Sequence, residues 1–107
     1  MVLVLSTVPV GERGEAIART LVDERLAACV NLYSPMSSLY RWRGAIERDE
    51  ERQLVIKTTR ELVAAVKARL LELHPYELPE LLVLQPGDGS REYLDWVAAN
   101  VGPESDA

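Results

Sequence analysis

"SSLYRWRGAIERDEERQLVIKTT", residues 37–59, decides the fold. Ser38, Tyr40 and Trp42 share one side of an alternating stretch, and "RG" at 43–44 is a turn signal. The return arm runs from Ala45 to Thr59, polar near the turn and apolar at Leu54, Val55 and Ile56. Period-two alternation reversed at a glycine turn predicts a β-hairpin. Its arms are longer than a small sheet needs, and unpaired strand edges of that length invite pairing with another chain.

Upstream, "ACVNLY" (28–33) also alternates, with Val30 and Leu32 facing one way and Cys29, Asn31 and Tyr33 the other, before Pro35 interrupts. Over 12–28, Ile17 with Leu21, and Ala18 with Val22 and Leu26, recur at helical spacing. "VLVLSTV" (2–8) is a β-branched run suited to a strand buried on both faces. Downstream, "TTRE" (58–61) fits a capping box, with Thr58 as cap and Glu61 reaching back. Leu62, Val66, Leu70 and Leu73 then mark a helical stripe that Pro75 ends at His74. "LLVL" (81–84) is a last short strand, and Ser90 caps a final helix stopped by Gly102 and Pro103. This order predicts an α+β fold of the ferredoxin-like split βαβ type: βαββαβ plus a C-terminal helix, with a four-stranded antiparallel sheet and helices on one face. One domain over 1–102 and a flexible tail over 103–107 complete the expectation.

Composition narrows the function. The chain carries 12 Lys and Arg against 17 Asp and Glu, a net charge of −5, which argues against a nucleic-acid backbone or an anionic membrane as partner. No apolar stretch approaches the length of a membrane span, and the N-terminal run lacks a basic segment before it, so it reads as a strand and not a signal peptide. Cys29 is the single cysteine, so an internal disulfide is excluded and a cytoplasmic protein is expected.

Catalytic motifs are absent: there is no C-x-x-C, H-E-x-x-H, G-x-S-x-G or phosphate-binding loop. His74, the only histidine, admits three readings from the residues alone. It can cap a helix C-terminus, ligate Cu, Zn or Ni with partners such as Glu77 and Glu80, or serve as a general base oriented by one of those carboxylates. Lys57 ends the "LVIK" strand and can reach a carboxylate or water, and "GDGSR" (87–91) offers backbone N–H groups to an anion. With no Phe in the chain, Tyr40, Trp42, Tyr76, Tyr93 and Trp96 carry the aromatic surface. Aromatics on a hairpin arm suit interface anchors, so the hairpin and Trp42 together predict a closed homo-oligomer.

"STVP" (6–9), "LAACVN" (26–31), "SSLYRWRG" (37–44), "LVIKTT" (54–59), "LHPYELPEL" (73–81) and "REYLDW" (91–96) resemble the CutA divalent-cation tolerance family, in its order and at its spacing. The resemblance covers about 2–101 and implies a tight homotrimer of ferredoxin-like subunits, similar in architecture to the PII signalling proteins, with a role in the response to divalent metals and no established enzymatic reaction. It places Tyr40, Trp42, Lys57, Tyr76, Glu77, Glu80 and Tyr93 near inter-subunit clefts, with His74 the residue left to bind Cu²⁺ or another divalent cation weakly. Copper-binding members use a cysteine at the end of the first strand and two adjacent histidines, positions taken here by Ser6, Leu73 and His74. The alternative reading is a PII-like sensor trimer that holds an anionic ligand near Lys57, Arg91 and the 87–91 loop.

Overall fold

The computed structural model describes residues 1–104; of the tail expected over 103–107, residues 105–107 lie outside the described residues. The elements are β1 (Val2–Pro9), α1 (Glu12–Asp23), β2 (Cys29–Leu32), β3 (Met36–Trp42), β4 (Ala45–Thr58), a 3₁₀ turn (Arg60–Leu62), α2 (Val63–Leu73), β5 (Leu82–Leu84) and α3 (Arg91–Ala99). Five strands form one antiparallel sheet in the order β2-β4-β1-β5, with β3 beside the outer half of β4. The expected four strands become five because residues 33–35 break the ladder at Pro35. β2 pairs with Leu54–Lys57 of β4 and β3 with Ala45–Glu51 of it.

Period two governs β1 and the inner half of β4. Val2, Val4, Ser6 and Val8 are buried, and so are Leu54, Ile56 and Thr58. Ile17 and Leu21 of α1 and Val66 and Leu70 of α2 close over Val4, Val8, Leu54 and Ile56 to form the core. Leu3, Leu5 and Thr7 on the other side of β1 are only half-buried within the single chain, because α1 and α2 pack on one face alone. Gly14 lets α1 sit close to β1, because a Cβ there would lie 2.6 Å from Val8 Cγ2.

Local chemistry moves two boundaries. α1 ends at Asp23, short of the expected Ala28, where Arg25 takes φ 59°. Arg25 Nε donates to Gly102 O at 2.6 Å and its Nη2 to Ala99 O at 3.1 Å, so the guanidinium that ends one helix satisfies carbonyls at the end of another. The capping box does not form: Thr58 is fully buried and donates to Leu26 O at 2.7 Å, while Thr59 precedes the 3₁₀ turn without a side-chain cap bond. Ser90 does cap α3, accepting from Tyr93 N–H at 3.4 Å.

The hairpin turn is two residues, Arg43 at φ 51° and Gly44 at φ 83°, which is the positive-φ pair that matches strand twist. Trp42 therefore faces Ala45, Tyr40 faces Glu47 and Ser38 faces Asp49. The molecule measures 53 × 27 × 23 Å, more than twice as long as it is thick.

Candidate functional site

Pro75 disfavours helical geometry at His74, which leaves α2 in an extended conformation with φ −76° and ψ 134°. The chain turns there, and the imidazole folds inward to 8 % exposure. Its Nε2 lies 2.7 Å from Thr7 O, and its Nδ1 accepts Tyr76 N–H at 3.1 Å. A carbonyl can only accept and a backbone N–H can only donate, so the ring is the neutral tautomer with its proton on Nε2. Both nitrogens are engaged. His74 pins the segment after α2 to β1 and tilts against the Tyr76 ring, with centroids 4.7 Å apart.

That pinned segment, residues 75–80, forms one wall of a cleft of about 770 Å³. Tyr40 and Trp42 of β3 form the opposite wall, with Asp49 and Glu51 of β4 on the same side of the hairpin. Tyr40 donates its hydroxyl to the Asp49 carboxylate, and that bond pushes the phenol up to about 12. Tyr76 is raised as well, by burial first and then by the neighbouring Glu51 carboxylate. Both phenols therefore stand as neutral donors beside carboxylates. Gln53 fastens the far wall to the sheet, its Nε2 donating to Glu80 Oε2 at 2.9 Å and to Ser6 O at 2.8 Å. Glu77 pairs with Arg43 at 3.4 Å in full solvent, and that guanidinium lies 5.4 Å from the Trp42 ring centroid. Four carboxylates line the cleft against one guanidinium, that of Arg41.

Of the residues expected together, the chain gathers Tyr40, Trp42, Tyr76, Glu77 and Glu80 around this cleft, with His74 behind its wall. Lys57 and Tyr93 stand elsewhere, Lys57 Nζ donating to Tyr93 Oη at 3.1 Å and Tyr93 stacking on Trp96. The hydroxyl raises the lysine above its ordinary value. Lys57 and Glu51 share a face of β4 but are six residues apart, roughly 20 Å at the rise of a strand, so one chain cannot put both in one site. Neither Glu77 nor Glu80 orients the imidazole: Glu77 bonds Arg43, Glu80 bonds Gln53, and the ring bonds only backbone. The sequence reading missed Asp49, Glu51, Gln53 and Arg43. Carrying the alternation of β3 across the turn would have set Asp49 and Glu51 beside Tyr40 and Trp42.

The positions that hold copper in the resembled family do not fit it here. Ser6 points into the core with its Oγ buried and unbonded, Leu73 packs against the core, and His74 has no free lone pair. Among the described residues, no three His, Cys, Asp or Glu side chains cluster to hold an ion.

Residues 2–100 match the model of the CutA1 divalent ion tolerance protein family. The divalent-cation tolerance protein CutA of Thermus thermophilus is 47 % identical over 100 residues, covering 94 % of this chain and 97 % of that protein. A solved structure of the divalent cation tolerance protein from Thermus thermophilus superposes with a TM-score of 0.91 at 47 % identity, over 95 % of this chain and all of that one. The PII-like protein CutA from Nostoc sp. PCC 7120, solved in apo form, superposes at 0.90 with 41 % identity, over 95 % of this chain and 98 % of that one.

Proposed function

The chain belongs to the CutA1 divalent ion tolerance family, and from that premise we propose that it is a non-catalytic, cytoplasmic homotrimer of ferredoxin-like subunits acting in the response to divalent metals. The observation that carries the assembly is the open face of the sheet. Leu82 and Leu84 are exposed there, on the same side as half-buried Leu3, Leu5 and Val55, away from the face that α1 and α2 cover. On the opposite side of the hairpin, Leu39 and Ile46 are exposed too, at 69 % and 68 %. Apolar surface on this scale in so small a chain calls for cover, and a ring of three copies supplies it.

Divalent-metal association in this reading is weak and lies outside the imidazole, because a metal at Nδ1 must displace Tyr76 N–H. Light scattering together with calorimetric titration of copper(II), on the protein and on His74→Ala, tests both statements. A trimer mass and a copper isotherm that ignores the substitution are expected. A monomer mass overturns the assembly, and saturable binding lost in an intact His74→Ala trimer overturns the placement of the metal.

One observation favours a second reading, an anion sensor. Lys57 bonds the Tyr93 hydroxyl and pairs with no carboxylate among the described residues. The neighbouring loop offers less. Asp88 occupies Gly89 N–H, Ser90 occupies Tyr93 N–H, and Arg91 stands 3.9 Å from Asp95. A thermal shift with organic anions that disappears in Lys57→Ala would establish that reading.

A further inference from the structure

The cleft between the hairpin and residues 75–80 has a chemistry that neither metal tolerance nor anion sensing uses. Three aromatic side chains, Tyr40, Trp42 and Tyr76, line it. Glu51 lines it too, is 8 % exposed, and has no ion-pair partner among the described residues. A carboxylate removed from water is costly unless a cation or several donors compensate it, and the group facing Glu51 is the Tyr76 phenol. Asp49, at the next position on the same side of β4, bonds the Tyr40 phenol. The site thus presents negative charge at the foot of aromatic walls.

We propose that this cleft binds a small organic cation of the alkylammonium class, with its charged nitrogen at Glu51 and Asp49 and its alkyl chain against Tyr40, Trp42 and Tyr76. Aromatic faces attract ammonium groups through the ring quadrupole, and carboxylates at the base set their position. An anion meets four carboxylates here and is repelled. A hard dication needs several oxygen ligands converging on one point, and the described residues contain no such group. The cavity, about 770 Å³, lies in the range of small-molecule sites and is larger than one hydrated ion requires. The proposal concerns the ligand of the cleft, not the assembly, and stands apart from the metal response.

Calorimetric titration of spermidine, tetramethylammonium and Mg²⁺ into the full chain at matched ionic strength tests it, with light scattering on the same samples. Saturable binding of spermidine and, more weakly, of tetramethylammonium is expected, with Mg²⁺ failing to compete. Glu51→Gln and, separately, Tyr76→Leu should each weaken spermidine about tenfold while the mass stays unchanged. Two variants on different elements keep the result readable if one misfolds. The inference is overturned by absent binding, by Mg²⁺ competing as well as spermidine, or by affinities unchanged in both variants. Binding that emerges only in Lys57→Ala also overturns it, since a neighbouring copy's lysine would then fill the cleft. A monomer mass with binding intact would instead count against the trimer and leave this inference standing.

Discussion

The two faces of β1 and β4 are made of the same strands and read differently. On one, Val4, Val8, Leu54 and Ile56 meet α1 and α2 and are sealed. On the other, the same strands pass from the acidic cleft at Glu51, through half-buried Leu5 and Val55, to Lys57 and Tyr93. The sealed face needs only apolar side chains of the right size. The open face carries Glu51, Asp49, Tyr40, Trp42 and Lys57, charged and aromatic residues that the core does not use. A strand can therefore hold the domain together and present a site with alternate residues.

The contrast breaks most visibly at the core. Leu54→Ala, fully buried, should cost about 2–5 kcal/mol in a denaturant titration. A smaller loss would mean that α1 and α2 collapse onto the gap. His74→Ala sits between the two faces and should cost about 1–3 kcal/mol, because Thr7 O and Tyr76 N–H lose their partner. Leu84→Asp on the open face should leave far-UV circular dichroism intact yet reduce the mass from trimer toward monomer. If mass and spectrum both hold, the open face is not the interface.

The smallest effect is electrostatic and sharpens the picture of the cleft. The Tyr40 phenol is raised to about 12 by its bond to Asp49, so folding favours the neutral form. That contribution is complete below about pH 10 and is lost as pH rises through about 12. Ultraviolet titration should show two late tyrosines, Tyr40 and Tyr76, of which Tyr40 moves earlier in Asp49→Asn. An unchanged late titration would remove Asp49 as its cause.

Much of this fold is legible in periodicity, because burial on one face imposes period two on Val2–Val8 and helical spacing on Ile17 to Leu21 and Val66 to Leu70. The misreadings fall where tertiary contacts override local rules. Thr58 reads as a cap in its own neighbourhood, but a buried hydroxyl must find a partner and Leu26 O is at hand. Arg25 ends α1 through carbonyls at residues 99 and 102, far beyond any local window. Residues on the hairpin and the H-P-Y segment could be singled out from the sequence, since aromatics and prolines are conspicuous there. Which of them meet could not, because Lys57 and Glu51 look interchangeable until the length of β4 separates them.

The two-residue turn at Arg43 and Gly44 gives the cleft the character of a parity code. Tyr40 and Trp42 belong to the site because an even count separates each of them from Ser38. Slip β3 past β4 by one residue, and Leu39 and Arg41 take their places, so the aromatic wall vanishes with no change in composition. Slip it by two, and the wall returns one step displaced. Insertions in this hairpin should therefore be judged by whether their length is odd or even before their chemistry is considered.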